Sequence, residues 1–385
     1  RFSTSWKKSI NNPQTTTKKI QAMKPLRCKH AMLLAALLMA SMSIQAASDE
    51  YSKNKQKEYD VDKETLLSVT NKYGDVNITN WEKDRVSIDV TVTVDHSKEE
   101  KARELLDDIL INFSREGNTI TAETDFDKGF NRSGGIFDFD SDTKEFSIDY
   151  TIKMPKYLNL ELENKYGDVF INEVHGRADI AVKYGNLKAK KILRDNSKPL
   201  SHVYLAYSNG DIEEVNWLKL TLKYTPDQCE IGKSTALIAL TKYSKLELEE
   251  SSSLVCESKY DNYRIGTLSN LVCEAKYTDF KINRITKKID LESKYGDFDV
   301  NSVPKDFEDI KVDNSYGQVE IAIDSDASYR IQGEAEYTDI DIPDEGNVNR
   351  IERNTEVKIS GTVGSESNPQ SKVQIQTRYG KVDLD

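Results

Sequence analysis

The stretch Asn159-Leu160-Glu161-Leu162-Glu163-Asn164-Lys165-Tyr166-Gly167-Asp168-Val169-Phe170-Ile171 decides the fold. Before the tyrosine, Leu160, Leu162 and Asn164 are apolar or small while Glu161, Glu163 and Lys165 are charged. That period of two is the mark of a half-buried strand. Three and five residues beyond the tyrosine, Val169 and Ile171 are apolar again and start a second strand. Between them Gly167 sits at a corner that needs either a positive φ or close passage of another backbone.

The unit recurs. Lys-Tyr-Gly-Asp stands at 72–75, 165–168 and 294–297, and degenerate copies align on Tyr73, Tyr166, Tyr184, Tyr207, Tyr224, Tyr243, Tyr260, Tyr277, Tyr295, Tyr316, Tyr337 and Tyr379. Most spacings are 17 to 23 residues, too short for a crossover helix. Two short strands per copy can bury their apolar faces only by stacking copy on copy. The sequence therefore predicts an all-β fold, a parallel β-solenoid of short rungs, coiling right-handed by the crossover rule. Ladder hydrogen bonds then run between rungs at about 4.8 Å. The gap of 42 before Tyr379 reads as two rungs, one with its tyrosine lost near Ser360. Ser, Thr or Asp replaces Gly from Tyr207 to Tyr277 and Pro226 enters there, so the middle rungs are expected to be less regular.

The first gap, 93 residues, must hold an insertion, placed at 96–145 within a solenoid domain spanning 58–385. Ser97 with Glu100 reads as a capping box, and Ala102, Leu105, Leu106, Ile109, Leu110 and Phe113 follow at helical spacing. They predict one amphipathic helix packed on the end or flank of the solenoid. Residues 118–126 read as a strand, and 127–143 as a Gly- and Asp-rich loop. Its Phe130, Phe137 and Phe139 are the candidate ligand-binding residues, since exposed aromatics on a long loop make a binding surface. Phe146 to Met154 alternates again.

Residues 1–22 read as upstream sequence, and 23–46 as a secretory signal. Lys24, Arg27 and Lys29 make its basic segment, Leu33 to Met42 its apolar core, and Ile44-Gln45-Ala46 its cleavage site. The protein is thus expected to be exported to periplasm, cell surface or medium. Beyond residue 46 no stretch is apolar enough to span a bilayer as a helix. Cys28 precedes the apolar core, which disfavours a lipid anchor. Residues 47–385 carry 46 Lys and Arg against 65 Asp and Glu, a net charge of −19. That balance argues against nucleic acid and anionic lipid as partners.

The repeat brings candidate chemistry into rows. Lys72, Lys165, Lys183, Lys223, Lys242, Lys259, Lys276 and Lys294 precede the tyrosines and should stack outward, beside an acidic row of Glu163, Glu257, Glu274 and Glu292. Asp75, Asp168, Asp279, Asp297 and Asp339 fall two residues after the tyrosine. They lack any Ca²⁺-loop pattern and read as caps of local N–H groups. The tyrosines share parity with the inward residues, so their rings are expected stacked at the corner and largely buried. An exposed aromatic strip, by contrast, can hold a sugar ring. Cys256 and Cys273 occupy one position in consecutive copies and read as stacked core residues close enough for a disulfide. His96, His175 and His202 fall in no triad or zinc pattern. Gly232-Lys233-Ser234-Thr235 imitates a phosphate-binding loop, but Asp227 stands where the first glycine belongs. No catalytic residue, metal or cofactor is predicted.

The export signal, the repeated Lys-Tyr-Gly-Asp-Val, the segment Val76-Asn77-Ile78-Thr79-Asn80-Trp81 and the inserted helix together resemble the bacterial putative-adhesin β-solenoid family, related to auto-transporter adhesin head domains. The resemblance covers most of residues 60–385. It implies a non-catalytic surface or periplasmic scaffold that presents ladder-like faces to an envelope polymer, a glycan or a protein. Two other readings stand beside it. A polysaccharide-acting β-helical enzyme should show Asp, Arg and aromatic residues clustered in one groove, and a structural envelope protein without a dedicated ligand should show evenly scattered charge.

Overall fold

The computed structural model describes residues 50–127, 143–225 and 227–385. Each tyrosine-marked copy is a rung with a leading strand that ends at the tyrosine and a trailing strand that begins just after it. Leading strands pair in parallel with leading strands: Leu66–Lys72 joins Asn159–Lys165, which joins Ala178–Lys183. Trailing strands do the same, as Val76–Asn80, Val169–Val174 and Asn186–Ile192 show. The predicted alternation holds, with Leu160, Leu162, Val169 and Ile171 fully buried in one continuous core between the two faces. Equivalent residues lie opposite each other, so one rung's hydrophobic face is covered by the next and no rung could bury it alone.

The middle rungs are the most regular, against expectation. Asn209–Lys223, Cys229–Lys242, Lys245–Lys259, Asn262–Lys276 and Asp279–Lys294 are continuous strands of 14 to 16 residues. Each runs from one rung's trailing face into the next rung's leading face. The Gly232 segment lies inside one of them and forms no loop.

The corner explains both the tyrosine and the glycine. Every marker tyrosine has a positive φ, from 53° to 67°, and among described non-glycine residues only Asn354 shares that conformation. A bulky side chain there costs about 1–2 kcal/mol. The following glycine needs closeness instead: a Cβ on Gly167 would sit 2.0 Å from the Gly74 carbonyl oxygen, and one on Gly185 2.0 Å from that of Gly167. Asn71, Asn164 and Asn314, two residues before their tyrosines, donate from Nδ2 to carbonyl oxygens of these corner glycines at 2.6–3.1 Å. In the rungs from Tyr207 to Tyr277, Ser208, Ser244, Asp261 and Thr278 replace the glycine and turn their own side-chain oxygens into that polar channel.

Both ends depart from the simple repeat. The 42-residue gap does not hide a rung with a lost tyrosine. Gly346–Arg353 and Glu356–Val363 form an antiparallel hairpin on the outer side of Tyr329–Glu336. The chain then doubles back, and Ser371–Arg378 inserts between Asp309–Ser315 and Tyr329–Glu336. The spatial order is thus Tyr316, Tyr379, Tyr337. Likewise Thr119–Phe126 and Thr143–Met154 add a rung ahead of the Tyr73 rung, with antiparallel strands outside it. The outermost strand at that end, Glu50–Asp60, carries Lys53, Lys55 and Lys57, which suits an unpaired edge.

The inserted helix is shorter than the spacing predicts. It spans Glu99–Asp108, starts from Lys98 without a side-chain cap bond, and buries Ala102 and Leu106. No capping box forms, and Ile109, Leu110 and Phe113 lie in the strand Ile109–Glu116, which turns at Gly117 into the next strand. In that strand Ile109 and Ile111 are buried and Leu110 and Asn112 exposed, a period of two that a short apolar run shares with the i, i+4 spacing of a helix. Lys53 donates to the carbonyls of Leu106 and Ile109, and Lys55 to that of Ile111 at 2.5 Å, so two lysines occupy acceptors on that strand's unpaired edge.

Candidate functional site

The tyrosine corner is the most distinctive surface of the molecule. From Tyr73 to Tyr337 the twelve rings form one unbroken stack, each neighbouring pair 4.7–5.2 Å apart between centroids and within 13° of parallel. Ladder geometry sets the spacing, because each tyrosine N–H from Tyr73 to Tyr316 donates to the carbonyl just before the next tyrosine at 2.8–3.2 Å. The rings are not buried as their parity suggested. Eleven of them are 41–51% exposed. The positive φ breaks the alternation at that one residue and swings the side chain out of the sheet. Tyr73 closes one end of the stack against Phe126 and Phe146, at 6.0 and 5.3 Å.

Stacking occupies the ring faces, so the ridge presents ring edges and phenol hydroxyls. A sugar ring seeks an aromatic face, and along the ridge those faces are taken. What remains is a line of hydroxyls, each able to donate and accept, repeated about every 4.9 Å.

Two charged rows flank the ridge. On the leading side Lys72, Lys165 and Lys183 lie in register, and Lys223, Lys242, Lys259, Lys276 and Lys294 continue the row after Ala206. The acidic row beside it is broken, since Ala181, Tyr204, Thr221 and Leu240 lie in register between Glu163 and the run Glu257, Glu274 and Glu292. Glu163 pairs with Lys165 at 3.1 Å and Lys183 at 3.3 Å, and despite partial burial its carboxyl is held below the usual range. Lys259–Glu257 and Lys276–Glu274 follow at 3.5 and 3.6 Å. On the trailing side the aspartates cap the next rung, as their corner position suggested. Asp75 accepts from the Asp168 N–H at 2.7 Å, Asp168 from Asn186 at 2.8 Å, and Asp279 from Asp297 at 3.0 Å. In each case one named carboxylate oxygen makes the cap. Among the described residues no three metal-ligand side chains gather.

Elsewhere the leading face carries an exposed apolar row, Ile238, Val255 and Val272. Beyond it lies a shallow trough of about 480 Å³ lined by Val272, Glu292, Lys311, Asp313, Gln332 and Gln374. Cys256 and Cys273 form a disulfide with Cα atoms 4.6 Å apart, while Cys229 is a buried thiol whose pKa is pushed up to about 12 by desolvation. His202 stands 3.6 Å from its register partner Asp179 and 3.1 Å from the hydroxyl of Thr221, which lies two residues past its other register partner Lys219, a carboxylate–imidazole–hydroxyl line across three rungs. Burial lowers the His202 pKa. The line lies on the outer surface of a sheet, not in a cleft. His175 pairs with Glu173 at 3.3 Å, and buried His96 accepts from the Lys98 N–H at 2.9 Å. Phe130, Phe137 and Phe139 lie outside the described residues, as does the predicted signal segment.

Residues 263–385 match the protein family described as Toastrack DUF4097. The resemblance carried by the repeat, to bacterial putative-adhesin β-solenoids, is met in that segment. No curated protein matches the sequence. Three solved structures similar to this chain each share 10% identity and cover 86% of it. A "putative adhesin" from Bacteroides fragilis is covered over 97% of its length with a TM-score of 0.28. A "putative lipid binding protein" from Parabacteroides distasonis is covered over 97% with 0.30, and a "putative cell adhesion protein" from Clostridium sporogenes over 99% with 0.19. Values of this size assign no residue of this chain a role.

Proposed function

We propose that this chain, Toastrack-like over its last third, is an exported, non-catalytic binding scaffold of the cell envelope that makes its contact through the tyrosine ridge. The exposure of that ridge carries the reading. A tyrosine presents roughly 200 Å² in full, so eleven half-exposed rings make a continuous aromatic strip on the order of 1,000 Å². Soluble monomers rarely leave a patch above about 300–600 Å² uncovered, and larger ones rimmed by polar residues mark contact surfaces. The strip also costs backbone strain at every rung, which a purely structural corner would avoid with glycine.

The adhesin-like resemblance and the leader-like residues 23–46 support export, and the Cys256–Cys273 bridge suits an oxidising compartment. A test is binding of the purified protein to envelope fractions and glycan arrays, compared with Tyr207→Asn, Tyr243→Asn and Tyr277→Asn combined. Asn tolerates a positive φ, so it removes rings while keeping the corner. Saturable binding lost in the variant supports the ridge. Binding that survives intact, or turnover of any polymer, contradicts the proposal.

A further inference from the structure

We infer that the partner of the ridge is a second copy of this chain, docked ridge to ridge about a two-fold axis parallel to the tyrosine stack. The inference rests on the ridge being a contact surface and adds what covers it. Each Lys-Tyr-Gly-Asp rung places a cation on one flank of the aromatic line and a carboxylate on the other. A two-fold axis along the ridge turns the flanks over, so Lys165 meets Asp168 of the second copy while Asp168 meets its Lys165. The same exchange occurs at Lys72 and Asp75, Lys276 and Asp279, and Lys294 and Asp297. Lys183 meets Asn186 and Lys259 meets Asn262, and like charges meet at three rungs, Lys242 with Lys245, Glu336 with Asp339 and Arg378 with Lys381, against the four rungs of opposite charge. Running the two ridges antiparallel instead sets the lysine rows against each other, which like-charge repulsion disfavours.

Chemistry on both sides of the contact fits. The backbone cap on each aspartate engages Oδ1, which leaves Oδ2 to accept from a lysine of the other copy. Lysine side chains of the row remain 31–45% exposed where they pair with their own glutamates. Phenol hydroxyls are both donors and acceptors, so two identical rows can satisfy each other, which an all-donor or all-acceptor row could not. An isologous contact needs such self-complementarity, and about 800 Å² per partner is ordinary for a specific interface. The exposed strip supplies about that area.

The test is sedimentation of the purified protein at micromolar concentration, alone and with Lys165→Glu, Lys276→Glu and Lys294→Glu combined. These positions are on the strand surface beside Glu163, Glu274 and Glu292, and far-UV circular dichroism of the variant establishes that its fold is kept before association is compared. We expect a dimer for the unaltered protein, weakened by salt, and at least about tenfold weaker association for the variant. Carbodiimide cross-linking of a mixture of ¹⁴N and ¹⁵N protein supplies a measurement that needs no variant. Mixed-isotope links joining Lys165 to Asp168, or Lys294 to Asp297, are expected. A monomer at all concentrations, equal association of the variant, or mixed-isotope links confined to other surfaces overturns the inference. If the protein is monomeric yet loses envelope binding in the tyrosine variant, the second copy is refuted while the ridge stands. If neither assay responds to the ridge, both fall.

Discussion

Replacing Tyr260 by alanine and by glycine separates the two opposing costs at the corner. Tyr260 has φ of 61°, is 47% exposed, and stacks between Tyr243 and Tyr277 at 4.9 and 4.8 Å. About half of a ring of roughly 200 Å² is therefore hidden, worth about 2.5 kcal/mol at about 25 cal/mol per Å². Alanine forfeits that burial and keeps the strain of the left-handed conformation. Glycine forfeits the same burial but removes about 1 kcal/mol of strain. We expect Tyr260→Ala to lose about 2.5 kcal/mol and Tyr260→Gly about 1.5 kcal/mol. In an ordinary strand the order is reversed, because glycine is the worse residue by about 0.5–1 kcal/mol. Urea midpoints followed by far-UV circular dichroism read the difference at constant slope. A glycine variant less stable than the alanine variant refutes the corner geometry, and with it the reason the rings face outward.

Other outcomes follow from neighbouring features. Gly185→Ala places a Cβ 2.0 Å from the Gly167 carbonyl oxygen, so it should cost more than about 3 kcal/mol or unpair the rung, read by hydrogen exchange at Tyr184 and Asn186. Asp261 is buried and accepts from the hydroxyls of Thr241 and Ser258 and the N–H groups of Ser244 and Lys259, and desolvation outweighs these bonds to raise its pKa. The folded state then holds a proton the unfolded chain releases. Its favourable contribution is full below the unfolded value of 3.8 and is lost as pH rises through the higher folded value. The stability of Asp261→Asn relative to the unaltered protein should therefore rise from acid to neutral pH, and a difference that stays flat or falls contradicts this. Reducing Cys256–Cys273, which closes a 17-residue separation, should lower stability by about 3 kcal/mol, measured by melting with and without reductant.

Rungs, parallel stacking, the lysine row and the aspartate caps were legible because a 17 to 23 residue period with alternating polarity admits few other packings. The tyrosines were misplaced because parity counts assume an extended backbone, and a positive φ at one residue resets the count. Their invariable coupling to a cramped Gly, Ser, Thr or Asp was the available signal. The reversed strand order at the C-terminal end left no trace in spacing, since 42 residues fit two rungs as well as a hairpin and a return strand. The helix was overextended because Ile109 and Phe113, four residues apart, fit a helix face and a strand face alike, and the Gly117-Asn118 turn is what argues for a strand. Regularity of the middle rungs was missed because Ser208, Ser244 and Thr278 look like disruptions in sequence. In space their hydroxyls donate to the carbonyls of Ala206, Lys242 and Lys276 and accept the corner N–H groups of Gly185, Thr225 and Asp261, so the corner stays hydrogen-bonded without the glycine.

In the solenoid, consecutive tyrosine-marked segments from Tyr166 to Tyr295 are successive layers. Nitroxide labels at Glu161→Cys and Asp290→Cys, in a Cys229→Ser background, lie on the Tyr166 and Tyr295 rungs, seven steps of 4.8–5.1 Å apart. A single narrow dipolar distance near 35 Å is predicted, about 4.9 Å for each step. A distance below about 25 Å, or a broad distribution, would mean that the segments do not stack in sequence at the ladder spacing.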